Sequence, residues 1–245
     1  MALIRRLFIP DCHFGFADER AWRVALDVAT QLKPHETVIL GDFFDCYSVS
    51  RHDKDPLKNY GLLKQELARG QEALREIQRA TKGAKLVFLE GNHENRIPRF
   101  INAYADKLAG ILETRDILGL PKNCLFIPYG QGGFYRMGKL LATHGTIFNR
   151  HVAAGMIAKY GHSVVFGHTH RVQHAVSKNI NGEVFEGFNI GWLGDPVKAA
   201  DYIKDVPDAS HCLGVSYHKK NGGFFFETHM IKDYSCVLNG KVIER

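Results

Sequence analysis

The chain has 245 residues, 45% of them hydrophobic and 24% charged, with a formal net charge of +6. That length suits one large core or two small ones, and the composition is that of a folded globular protein, which excludes disordered and fibrous classes. No apolar run approaches the ~20 residues of a membrane span, and Leu7-Phe8-Ile9 is too short for a signal core.

No low-complexity tract, repeat or Pro/Ser/Gly linker divides the chain, so a single domain over residues 1–245 is expected. Five cysteines without zinc-type spacing point to free thiols in a reducing compartment, and hence to a soluble, cytoplasmic protein.

Leu3 to Pro10 reads as a strand leading into Asp11-Cys12-His13. In extended chain Asp11 and His13 point to the same side and can meet on one cation. Asp18 is placed to cap a helix whose stripe is Trp22, Ala25, Leu26, Ala29 and Leu32, ended by Pro34. Thr37-Val38-Ile39-Leu40 is a buried strand followed by Gly41-Asp42-Phe43-Phe44-Asp45. Strand, helix, strand in this order implies a parallel pair.

Residues 57–80 are expected to form the longest helix, with Tyr60, Leu63, Leu67, Gly70, Leu74 and Ile77 on one stripe. Between Arg51 and Lys85 nine Lys/Arg stand against five Asp/Glu, with much of the excess on the outer face of the basic helical segment at 51–82. Such a face either attracts a polyanion or is simply solvated.

Leu86-Val87-Phe88-Leu89, bounded by glycines, is a third buried strand, and Gly91-Asn92-His93-Glu94 follows it. The loop beyond a strand's carboxyl end is where α/β sheets place their chemistry. Pro98 is expected to begin a helix with Phe100/Ile101, Tyr104, Leu108 and Ile111 inward. Arg96, just before it, is either a phosphate clamp or a surface arginine.

Leu125–Ile127 is a further strand, and Gly133 to Ala142 a hairpin that runs on to His144. Asn149 is expected to cap a helix over Val152–Tyr160 that Gly161 ends. Ser163-Val164-Val165-Phe166 leads into Gly167-His168-Thr169-His170, two histidines on one face of extended chain. From about residue 171 the chain is hairpin-rich, with turns at Asn181-Gly182, Asn221-Gly222-Gly223 and Asn239-Gly240. Gly194 to Ser210 reads as a long loop or short helix, and loops of that length are often functional.

The ordered set is Asp11-x-His13, Gly41-Asp42, Gly91-Asn92-His93-Glu94, His144 and Gly167-His168-x-His170. It resembles the calcineurin-like metallophosphoesterase superfamily, whose motifs D-x-H, G-D-x-x-D, G-N-H-[DE], H and G-H-x-H come in the same order. The resemblance covers Asp11 to His170, and it implies a four-layer α/β/β/α sandwich of two mixed sheets flanked by helices. It further implies two metals, one held by Asp11, His13, Asp42 and His170, the other by Asp42, Asn92, His144 and His168. A hydroxide bridging the two would attack phosphorus, with His93 protonating the leaving oxygen or holding the phosphoryl group. Asp45 or Glu94 is expected to orient a ligand or His93. Mixed oxygen and imidazole ligands suit divalent transition metals, Mn first, with Fe, Zn, Co and Ni as alternatives.

One departure narrows the class. The phosphoprotein-phosphatase branch carries G-D-x-x-D-R-G, whereas Cys46-Tyr47 follows Asp45 here, so the arginine of that branch is missing. Glu94, in contrast, matches that branch. The leading expectation is a phosphodiesterase acting on a nucleotide or nucleic acid. A phosphomonoesterase, on protein or small metabolite, is the alternative, and a non-catalytic scaffold that keeps the fold for protein binding is the third reading.

Overall fold

Alternation along the central strands decides the architecture. Leu7 and Ile9 face one hydrophobic cluster while Phe8 faces another. Ile39 and Val38 divide in the same way, as do Phe88 and Val87. A sheet apolar on both faces must be covered on both.

The structure is a computed structural model that describes residues 3–51, 63–130, 132–199 and 208–245. In chain order its elements are β1 (Ile4–Ile9), α1 (Glu19–Leu32), β2 (Glu36–Ile39), α2 (Leu63–Ala80), β3 (Lys85–Leu89), α3 (Arg96–Tyr104), α4 (Thr114–Ile117), β4 (Leu125–Ile127), β5 (Phe134–Met137), β6 (Leu140–Thr143), α5 (Val152–Tyr160), β7 (Ser163–Phe166), β8 (Val172–Lys178), β9 (Val184–Ile190), β10 (Cys212–His218), β11 (Phe224–Met230), β12 (Ser235–Leu238) and β13 (Lys241–Glu244). The first part of the helix expected from residue 57, with Tyr60, lies outside the described residues, as does the middle of the 194–210 segment.

One sheet has the order β11-β10-β1-β2-β3-β4, the other β5-β6-β7-β9-β8. In the first, β1 to β4 are mutually parallel and β10 and β11 add antiparallel; in the second, β6, β7 and β9 are parallel between antiparallel edges. Phe8, Val38, Leu40, Val87 and Leu89 meet Leu140, Ala142, Val165, Phe188 and Ile190 between the sheets. The outer face of the first sheet packs on α1 and α2, and that of the second on α5 through Leu141, Val164 and Phe166. The four layers are therefore α/β/β/α, with a β12–β13 hairpin packed beside α1. Its turn is Asn239-Gly240, both at positive φ, as a two-residue hairpin turn requires.

Local chemistry places the helices well. Asp18 accepts from the N–H groups of Arg20 and Ala21 and so caps α1. Gly161, left-handed, ends α5. The expected Asn149 cap is not formed: the cap position is His151, without a side-chain cap bond.

One further expectation is corrected. The chain turns out of helix at Ala105, so α3 buries only Ile97 and Ile101, leaving Phe100, Tyr104, Leu108 and Ile111 exposed. The basic face of α2 is largely neutralised in place. Arg69 pairs with Glu19 and Glu76, while Arg75 and Arg79 share Glu72. Among the described residues no helix is long and apolar enough to cross a membrane, and all five cysteines are free and buried.

Candidate metal centre

Every expected ligand follows a parallel strand. Asp11 and His13 follow β1, Asp42 follows β2, Asn92 follows β3, His144 follows β6, and His168 and His170 follow β7. The sandwich thereby brings the carboxyl ends of two sheets to one place.

Ligand-type atoms gather there in two main groups, Asp11 with His13 and His170, and Asp42 with His144 and His168, while a third, His13 with Asp45 and His93, shares His13 with the first; each lies within 4.8 Å. The expectation that His168 and His170 would point to one side is corrected. His13, Asp42, His168 and His170 all have positive φ, between 47° and 71°. These left-handed residues send the two neighbouring histidines to different groups. Such backbone costs of order 1–3 kcal/mol per residue and persists only where the surroundings over-determine it, typically at functional sites.

The two main groups abut where His144 Nδ1 lies 3.9 Å from Asp11 Oδ1, and the atoms within each are close. Nε2 of His13 lies 3.0 Å from Nε2 of His170, and Nε2 of His144 lies 2.8 Å from Asn92 Oδ1 and 3.3 Å from Asp42 Oδ2. His168 Nδ1 is 3.2 Å from the same His144 nitrogen. The far sides of the rings are held from behind: His144 Nδ1 by the Leu40 carbonyl at 2.9 Å, His13 Nδ1 by Asp45 at 2.8 Å. His170 stacks on Trp192 at 4.6 Å, and its buried Nδ1 has no hydrogen-bond partner among the described residues.

Carboxylates and loops lock together around these rings. The N–H of His168 donates to both oxygens of Asp11, and that of His93 donates to Asp42 Oδ1. Glu94, fully buried, accepts from the backbone N–H groups of Asp42, Phe44 and Gly91 at 2.8–3.0 Å, which ties the second loop to the third. Glu66 on α2 accepts from the N–H groups of Tyr47 and Ser48 and fixes the chain just beyond Asp45. Glycines supply the clearance. A Cβ on Gly91 would run into Asp42 Oδ1, one on Gly167 into Asp11 Oδ2, and one on Gly41 would stand 2.8 Å from His144 Nδ1.

Burial and mutual charge shift several of the titrating groups strongly. Burial, with the nearby charge of Asp42, pushes the Asp11 carboxyl up to about 7. Glu94 is pushed up to about 8 by burial and then by Asp42. Burial works against a charged His144, yet Asp42 raises that ring to about 9. Burial and the His144 charge drop His168 to about 4. Among the described residues no Lys or Arg pairs with Asp11 or Asp42. Buried carboxylates facing imidazole nitrogens, with no Lys or Arg paired to them among the described residues, fit divalent metals.

His93 is buried beside both groups, with Nδ1 3.1 Å from the Asp45 carbonyl and 3.2 Å from Asp45 Oδ2. Nε2 of His93 lies 3.8 Å from Asp42 Oδ2 and receives Arg96 Nη2 at 3.0 Å. Arg96 also donates to the Asp45 carbonyl at 2.9 Å. It is thus bound into the site, and the surface alternative for it is dropped. Sequence reasoning missed Trp192, which no motif marks, and the flanks of the site. A cavity of about 450 Å³ opens beside Asn92 and Arg96, and a shallower one of about 820 Å³ lies around Phe148 and Arg171.

Comparison with known proteins gives a consistent match. The family model described as calcineurin-like phosphoesterase matches residues 4–172. The gene 54 protein of Mycobacterium phage L5 is 25% identical over 216 residues, which covers 82% of this chain and 83% of that protein. Among solved structures, vacuolar protein sorting 29 from Cryptosporidium parvum aligns at 15% identity and a TM-score of 0.47, covering 99% of this chain and 96% of that one. Yfce, a phosphoesterase from E. coli, aligns at 16% identity and a TM-score of 0.42, covering 91% and 97%.

Proposed function

The chain belongs to the calcineurin-like phosphoesterase family, and from that membership we propose that it is a dinuclear metal-dependent phosphodiesterase acting on a nucleotide or nucleic acid. The observation that carries this reading is the pair of abutting Asp/His groups, whose carboxylates Asp11 and Asp42 pair with no Lys or Arg among the described residues. Asp11, His13, Asp42 and His170 would hold one metal, and Asp42, Asn92, His144 and His168 the other. Two cations held there would bind phosphate oxygens and acidify a water between them.

The chain's own groups do the rest. Asp45 faces Nδ1 of His93, so Nε2 is the nitrogen that carries a proton to the leaving oxygen. Arg96 caps that Nε2 in the free protein. A phosphate that draws the guanidinium to itself frees the Nε2 lone pair to take up a proton from the attacking water or from solvent, and that proton is the one passed to the leaving oxygen. Glu94 holds the backbone of Asp42 and Gly91 in register and touches no reacting atom.

The diester preference rests on the residue after Asp45, a buried cysteine where the phosphatase branch has arginine. Mn is the first metal to try, because mixed oxygen and imidazole ligands suit first-row transition ions. Buried, unpaired cysteines suit a reducing compartment, and we place the protein in the cytoplasm. The test is hydrolysis of bis-p-nitrophenyl phosphate beside p-nitrophenyl phosphate by Mn-supplemented protein. Faster turnover of the diester supports the reading; preference for the monoester replaces it with a phosphatase.

A further inference from the structure

We propose that the substrate is a single-stranded polynucleotide that crosses the metal centre, its bases stacking on Phe100 and Tyr104 on one side and on Phe148 on the other. The proposal rests on the phosphodiesterase reading and adds to it the substrate class and two binding subsites.

The first subsite is the 450 Å³ cavity, a volume within the range of small-ligand pockets. Its lining includes Asn92 and Arg96 from the centre, then Arg51, Arg99, Phe100 and Tyr104. The Phe100 and Tyr104 rings lie 4.8 Å apart, and they are 42% and 73% exposed. Two neighbouring aromatic rings left in water beside three arginines make poor core and a good shelf for bases between phosphates. Among the described residues neither Arg51 nor Arg99 pairs with a carboxylate, unlike the arginines of α2.

The second subsite lies across the centre. From Asn92 the contacts run to His144 at 2.8 Å, then to His168 at 3.2 Å, then to the Phe148 ring at 6.2 Å. Phe148 is 58% exposed and lies under the Arg171 guanidinium at 5.5 Å; Asp208 in the same depression pairs with Arg171 at 2.9 Å, and among the described residues Arg150 is the lining arginine without a carboxylate partner. The centre is thus flanked on both sides by an exposed aromatic ring and at least one arginine without a carboxylate partner among the described residues. A small phosphomonoester or a single phosphorylated side chain has anionic charge on one side only. A nucleic-acid strand repeats phosphate and base on both. Only an unpaired strand offers base faces to side-chain rings, so a duplex does not fit.

Three measurements on the Mn-loaded protein test this. Cleavage of fluorescent oligo-dT and oligo-U of increasing length gives kcat and KM, anisotropy of a phosphorothioate-linked dT 20-mer gives Kd without turnover, and bis-p-nitrophenyl phosphate reports the chemistry. We expect kcat/KM to rise with strand length, and Tyr104→Ala and Phe148→Ala each to raise strand KM and Kd about tenfold. Tyr104→Phe, which keeps the ring, should restore binding, and Arg99→Gln should flatten the salt dependence. The dT and U arms separate DNA from RNA within the same chemistry. Unchanged KM and Kd in either alanine variant, or a duplex bound as tightly as the single strand, overturns the proposal. Wild-type cleavage of the monoester without the bis ester overturns the diesterase reading together with it, and is recognised before any strand is used.

Discussion

Oδ2 of Asp45 lies 2.8 Å from Nδ1 of His13, and the same oxygen lies 3.2 Å from Nδ1 of His93. One buried carboxylate thereby sets the tautomer of two rings. Each Nδ1 carries its proton toward Asp45, and each Nε2 is left to face the centre, which under the proposed reading is toward metal for His13 and toward substrate for His93. Burial favours a neutral Asp45, but His93 and His13 beside it hold the carboxyl well below the usual carboxylate range. Asp45→Asn keeps the shape and removes the charge. It should weaken Mn binding about 10–100-fold by calorimetry, the size of effect expected for a group that orients a ligand. Unchanged affinity would show that His13 keeps its tautomer without Asp45.

Asp42 and His93 are neighbours with different duties, and substitution should separate them. Asp42 Oδ2 faces His144 at 3.3 Å while Oδ1 accepts the His93 N–H at 2.8 Å. Asp42→Asn should lose bound metal and nearly all activity. His93→Ala should retain metal and slow turnover by about 10²–10⁴-fold, as for loss of a general acid. Metal analysis beside kcat checks both, and a metal-free His93→Ala protein would move His93 among the ligands.

Gly91 and Gly167 give a way to disable the site without touching a ligand. Neither has positive φ, so alanine suits the backbone at both positions. The new methyl would nevertheless collide with Asp42 Oδ1 in one case and Asp11 Oδ2 in the other. Each substitution should displace its carboxylate, weaken metal binding, and cost about 1–3 kcal/mol in chemical denaturation, as for overpacking. Alanine variants with wild-type metal content would show that these loops yield more easily than their packing implies.

The cluster of candidate ligands was legible because its residues are local: each block sits within a few positions of an apolar run, and a strand end is marked by where that run stops. The helix caps at Asp18 and Gly161 were legible for the same reason. What pairs across long separations was not. Arg69 meets Glu19 from 50 residues away, so charge counted along α2 overstated what solvent meets. Periodicity marked Phe100 and Tyr104 as apolar positions on one helical stripe without saying that the chain turns away at Ala105 and leaves them in water. Trp192 reaches His170 from a later crossing of the sandwich, and a lone aromatic such as Phe148 carries no pattern at all.

His218 provides a pH signature away from the centre. It lies at the end of β10, its Nε2 2.8 Å from the Ser216 hydroxyl, with Phe224 stacked on the ring. Burial, and then the positive charge of Arg6, lower its pKa to about 4, while Glu36 pulls weakly the other way. The unfolded chain, with an ordinary histidine near 6.5, therefore binds more protons than the folded one between these values, so stability rises with pH across that window. This contribution is complete above about pH 6.5 and is lost as pH falls through about 4. His218→Gln keeps a hydrogen-bonding partner for Ser216 and cannot take up the proton. The difference in Tm between pH 7 and pH 4.5 should shrink in the variant, both proteins being melted with and without Mn so that proton uptake by the metal-site histidines is subtracted. An equal acid shift in both proteins would mean that His218 is already free to protonate in the folded chain.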